Sequence, residues 1–88
     1  MLSAYPNPFN PITNIGFAIP SESMVKISIF NLRGQEVETL VNEVTSPGTY
    51  SINWDAGYLS SGVYFVHFTA SSAGFAPISQ IQKLMLVK

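Results

Sequence analysis

The chain has 88 residues, 47% hydrophobic and 10% charged, with no cysteine and a formal net charge of −1. That length holds one small domain whose thin core leaves little room for a deep catalytic cleft. Disulfides and thiolate metal sites are excluded. Four basic against five acidic residues give no footprint for nucleic acid, and no apolar run approaches the ~20 residues of a transmembrane helix.

In chain order, Met1 reads as an added start codon, and the segment to Pro6 has neither the basic nor the apolar region of a signal peptide, so no export signal is expected in this chain itself. Residues 1–11 are expected to form a Pro/Asn-rich lead-in, and residues 12–88 a single domain. Three prolines between Tyr5 and Pro11 predict extended chain with turns, pinned to the body by Tyr5 and Phe9. Ile15, Phe17 and Ile19 then alternate with smaller or polar residues, which predicts a half-buried strand ended by Pro20. Val25, Ile27 and Ile29 predict a second strand. The turn Asn31-Leu32-Arg33-Gly34 follows, with Leu32 expected to cap one end of the core.

From Glu36 to Val44 the pattern is ambiguous. Val37, Leu40, Val41 and Val44 have helical spacing, yet three valines and a threonine between turn signals favour an irregular strand, with a short helix as the alternative. Pro47-Gly48 matches the centre of a type II turn. Tyr50, Ile52 and Trp54 share one face of the next strand. Val63 to Ala70 is nearly continuous in apolar residues and predicts a central strand covered on both faces. A Ser/Ala/Gly loop leads to a last strand in which Leu84 and Leu86 alternate with Lys83, Met85 and Val87. Six or seven mostly antiparallel strands at this spacing predict an all-β sandwich. Its expected core is Ile15, Phe17, Ile27, Ile29, Leu32, Ile52, Trp54, Tyr64, Val66, Phe68, Leu84 and Leu86.

Catalytic chemistry has little to stand on. His67 is the only histidine, and it lacks a nucleophile motif around it and the companion ligands that zinc needs. Asp55, before Ala56-Gly57, is expected to accept backbone N–H groups in an Asx-type turn; weak calcium binding with loop carbonyls is the other reading. Glu36, Glu38 and Glu43 read as a solvated face. Trp54 with the tyrosines reads as core, the alternative being a sugar-stacking platform. Neither an enzyme nor a cofactor or metal site is expected.

Six words carry more information than the chemistry does. They are Tyr5-Pro6-Asn7-Pro8-Phe9-Asn10-Pro11, Asn31-Leu32-Arg33-Gly34-Gln35-Glu36-Val37, Pro47-Gly48-Thr49, Trp54-Asp55-Ala56, Ser61-Gly62-Val63-Tyr64-Phe65 and the ending Lys83-Leu84-Met85-Leu86-Val87-Lys88. In this order they resemble the C-terminal sorting domain of type IX secretion cargo proteins of Bacteroidetes and their relatives. The series is also similar to the immunoglobulin-like domain of the flagellar hook-capping protein, which shares the Pro-Asn-Pro-Phe, Trp-Asp and Gly-Val-Tyr words.

The resemblance implies an immunoglobulin-like sandwich at the end of a larger secreted protein, exported through the periplasm to the cell surface. An outer-membrane translocon would recognise the folded domain, and a sortase-like peptidase would remove it and anchor the upstream cargo. The recognition features it implies map onto Gly62, Val63, Tyr64, Lys83 and Lys88, each of which also has an ordinary role in a sandwich. Two departures are the long apolar loop from Ser71 to Gln80 and His67 at a position that is usually basic. The competing expectation is an assembly module, either a hook-cap domain or a surface-filament subunit pairing through its apolar final strand.

Overall fold

The computed structural model describes residues 2–88, which form seven strands and no helix. They are β1 (Leu2–Tyr5), β2 (Ile12–Ile19), β3 (Ser23–Phe30), β4 (Glu36–Thr45), β5 (Gly48–Asp55), β6 (Gly62–Ser71) and β7 (Ile78–Leu86). A three-stranded sheet runs β1-β2-β5 and a four-stranded sheet β4-β3-β6-β7. All pairings between strands are antiparallel. The chain is thus an all-β sandwich.

Period-two alternation builds the core. Ile15, Phe17 and Ile19 of β2 face Val25, Ile27 and Ile29 of β3, Tyr64, Val66, Phe68 and Ala70 of β6, and Leu84 and Leu86 of β7; all are buried. Phe17 packs on Phe68 with ring centroids 5.5 Å apart, and Trp54 on Phe9 at 5.7 Å. Burial of such side chains is the main favourable contribution a domain this small has. Ile52, expected in the core, sits half-buried at the edge of its sheet.

The ambiguous segment is strand, and its helical spacing has a structural cause. Against β3, the register of β4 steps from Ile27↔Val41 to Ser28↔Thr39 and from Ile29↔Glu38 to Phe30↔Glu36. Leu40 and Val37 are therefore the extra residues of two bulges, which reset the side-chain parity. Both pack half-buried against the core.

Three expectations are corrected. Strand β6 is central, between β3 and β7, but only one of its faces is covered; Val63, Phe65, His67 and Thr69 lie half-exposed on the outer face. Leu32 does not cap the core and is 71% exposed, because the turn that carries it satisfies its own polar groups and projects beyond the sheet ends. Tyr5 is no anchor either, at 81% exposed. It ends β1, a strand that the proline-rich sequence concealed, opposite Asn14. Of the two expected anchors only Phe9 serves, fully inside the core.

Candidate functional site

The residues singled out by the sequence converge on one end of the sandwich, where β6 begins and β7 finishes. Register places Gly62 opposite Leu86, Val63 opposite Met85, Tyr64 opposite Leu84 and Phe65 opposite Lys83. Gly62 has φ +155° with open space around a would-be Cβ, so backbone conformation rather than crowding is what demands glycine there. The Tyr64 ring is buried, and its hydroxyl donates to the Ser60 carbonyl at 2.7 Å, tying the loop before β6 to the core. Tyr50 makes the equivalent bond to the Ser46 carbonyl at 2.6 Å, so both corners into the long strands are fastened by a tyrosine four residues on. Val63 is half-buried and Lys83 exposed, both on the outer face. Lys88 is less free than a terminal lysine would be: its backbone N–H donates to Ser61 Oγ at 3.1 Å and its Nζ to the Gly57 carbonyl at 2.6 Å.

A second word joins this end. Asn31 Oδ1 accepts the N–H groups of Arg33 at 2.9 Å and Gln35 at 3.0 Å, while Gly34, at φ +79°, donates back to the Asn31 carbonyl at 3.0 Å. An asparagine and a glycine thus close the turn without help from the core. Asn31, Arg33 and Gln35 face the segment from Ser61 to Tyr64 across an open depression of about 250 Å³. Leu32 lines both this depression and a neighbouring apolar groove of about 410 Å³, floored by Phe30, Phe65, His67 and Ile81. His67 Nε2 lies 3.1 Å from Ser79 Oγ. Sequence reasoning named the Asn31 turn but did not assign it to the site; the missing signal was the pairing of Phe30 with Phe65, which brings the two words to one end.

The lead-in completes the arrangement. Phe9 pairs in parallel with Leu86, its N–H donating to the Met85 carbonyl and its carbonyl accepting from Val87, both at 2.9 Å. One step earlier the Asn7 side chain does what a peptide unit would do. Its Nδ2 donates to the Lys83 carbonyl at 2.8 Å and its Oδ1 accepts the Met85 N–H at 3.0 Å. The Asn-Pro-Phe word therefore covers the outer edge of β7 from Lys83 to Val87. Pairing of the final strand with a neighbour, on which the assembly expectation leaned, is blocked over that stretch.

The remaining candidates resolve into structure. Asp55 Oδ1 accepts the Gly57 N–H at 2.8 Å, an Asx turn. Among the described residues no three His, Cys, Asp or Glu side chains cluster as a metal site would require. Trp54 is 4% exposed and cannot serve as a sugar platform. Glu38 accepts a hydrogen bond from Tyr58. Glu36 accepts one from Thr39 Oγ1 at 2.8 Å and pairs with Lys26 at 3.7 Å; the Thr39 bond, with Lys26 beside it, holds its carboxyl below the ordinary 4.5. Lys26–Glu36 is the one ion pair among the described residues, which leaves Arg33 and Lys83 without a carboxylate partner.

With this geometry in place, comparison with known proteins decides the class. Residues 3–83 match the family described as the secretion system C-terminal sorting domain. The chain belongs to that family. No curated protein and no solved structure matches it. Type IX sorting domains are targeting domains of proteins that are exported through the periplasm to the cell surface or secreted. Membership implies interaction with the type IX secretion machinery and attachment to an upstream cargo. No helix of the described residues is long and apolar enough to cross a membrane.

Proposed function

We propose that this sorting domain is a non-catalytic address that the outer-membrane translocon reads as a folded surface, after which a sortase-like peptidase removes it and attaches the upstream cargo to the cell surface. The observation that carries the reading is the family match over residues 3–83. The surface proposed to be read is the sandwich end with Gly62, Val63 and Tyr64 on β6, Lys83 on β7 and Lys88 beyond it. What supports it is their adjacency in register together with the open depression beside them. In this reading Gly62 and Tyr64 shape the surface, whereas the exposed Lys83 and Lys88 present charge to the partner.

The test fuses residues 1–88 to the C-terminus of a folded periplasmic reporter in a host with a working type IX system. Surface location is read by protease accessibility on intact cells. The reporter is expected at the surface with the domain and in the periplasm without it. Retention of a folded, intact fusion in the periplasm of competent hosts would overturn the proposal.

A further inference from the structure

A sandwich of two open sheets has four edges, and three of these are guarded. The β7 edge is covered by Asn7 and Phe9 from Lys83 to Val87, which leaves only its first half, residues 78–82, bare. The β4 edge is broken by two bulges and carries Glu36, Glu38 and Glu43. The β1 edge has only four residues. Natural sheets use such devices to prevent pairing with other chains. Strand β5 has none of them: its eight residues pair with β2 in unbroken register, without proline, lysine or bulge, and its one charge is Asp55 at the far end.

Which backbone groups are free follows from a single bond. Ala56 N–H donates to the Pro11 carbonyl at 2.9 Å, and residue 56 lies one step beyond the pair Ile12↔Asp55. Even-numbered residues of β5 therefore exchange hydrogen bonds with β2, since bonded and non-bonded pairs alternate along an antiparallel ladder. The N–H and C=O groups of Thr49, Ser51 and Asn53 point outward, and no partner for them is found among the described residues.

We propose that this edge pairs with β5 of a second copy, antiparallel about a two-fold axis at Ser51, to give one continuous sheet in the order β1-β2-β5-β5-β2-β1. The occupant is a second copy because the edge is its own complement. With Ser51 facing Ser51, Thr49 faces Asn53 of the other chain, and each of these pairs exchanges both of its backbone bonds. The non-bonded positions between them bring Tyr50 against Ile52 of the other chain, an aromatic–β-branched pair at the spacing where side chains approach closest. Both side chains are half-buried at this edge. No charge meets a like charge between residues 48 and 54, and Pro47, which lacks an N–H, ends the ladder. A single added strand pair buries less than the roughly 1,200 Å² of a stable interface, so the dimer is a weak one. The proposal is independent of the sorting role.

The test uses the whole chain from micromolar to near-millimolar concentration. Sedimentation velocity is expected to show a monomer–dimer equilibrium, and the amide resonances of Thr49, Ser51 and Asn53 to shift and gain exchange protection with concentration. Ser51→Lys, which opposes two ammonium groups on the axis, should weaken association at least tenfold. Ser51 is exposed, so the melting temperature should hold. A monomer at every concentration, association untouched by Ser51→Lys, or amide changes centred on β4, β7 or the Phe30–Ile81 groove would each overturn it. The amide pattern is read on the native chain, so it decides even where the variant loses stability.

Discussion

Single residues here divide into those that sequence pattern reveals and those that only the closed fold reveals. Ile15, Phe17, Ile27, Ile29, Trp54, Val66 and Leu84 announce themselves by alternation, and all are buried. Trp54→Ala should cost about 3–5 kcal/mol in urea denaturation, because it empties a large core site against Phe9. Tyr64→Phe removes only the hydroxyl bond to Ser60 and should cost about 1 kcal/mol with the fold retained. Leu32 misled because an apolar residue in a turn suggests a core cap, whereas Asn31 makes that turn self-sufficient. Asn7 was illegible for another reason: its partners Lys83 and Met85 lie at the opposite end of the sequence. Glu36 provides a pH-dependent reporter. Its folded carboxyl titrates below the ordinary 4.5, so the ionised form favours the fold above that pH and this contribution fades as the pH falls through the folded value. Thr39→Val should move the Glu36 titration, followed by NMR, upward toward 4.5, since the Thr39 bond is the largest cause of the shift.

Among the elements, the strands were legible where their parity is constant. β2, β3, β5 and β7 follow from alternation bounded by Gly, Pro and Ser, whereas β6 was legible as a strand from its apolar run but not as one with an open face. β4 was ambiguous because two bulges interrupt its parity, and a bulged strand imitates the i, i+3, i+4 spacing of a helix over one short window. β1 was hidden by the prolines beside it. The clamp on β7 gives the element-scale prediction. Asn7→Ala removes the two side-chain bonds but not the Phe9 pairing, and should cost about 1 kcal/mol while speeding exchange of the Met85 amide. An unchanged Met85 exchange rate would show that the asparagine does not hold the strand. Since the clamp joins the first family word to the last, the two belong to one structural unit despite their separation in sequence.

At the scale of the whole molecule, composition excluded more than it identified: it removed nucleic acid, disulfides and helical membrane spans, but it could not distinguish an address from an assembly module. Six short words pointed to the family, and the fold brings five of them into joint structural roles. The Asn31 and Gly62 words share a depression at one end, the Pro-Asn-Pro-Phe and Lys83–Lys88 words form the clamp, and Trp54-Asp55-Ala56 closes the neighbouring loop. The central claim is that the folded sandwich end, and not merely a stable domain, is what the export machinery reads. It is tested most directly by replacing Lys83 and Lys88 with alanine in the reporter fusion and measuring the surface fraction beside the melting temperature of the isolated chain. Both side chains are exposed, and the side-chain bond given up is that of Lys88 to the Gly57 carbonyl, so the stability change should stay within about 1 kcal/mol. The account predicts a domain that stays folded, with at most that small loss of stability, and a reporter held in the periplasm; surface display equal to that of the parent fusion would contradict it.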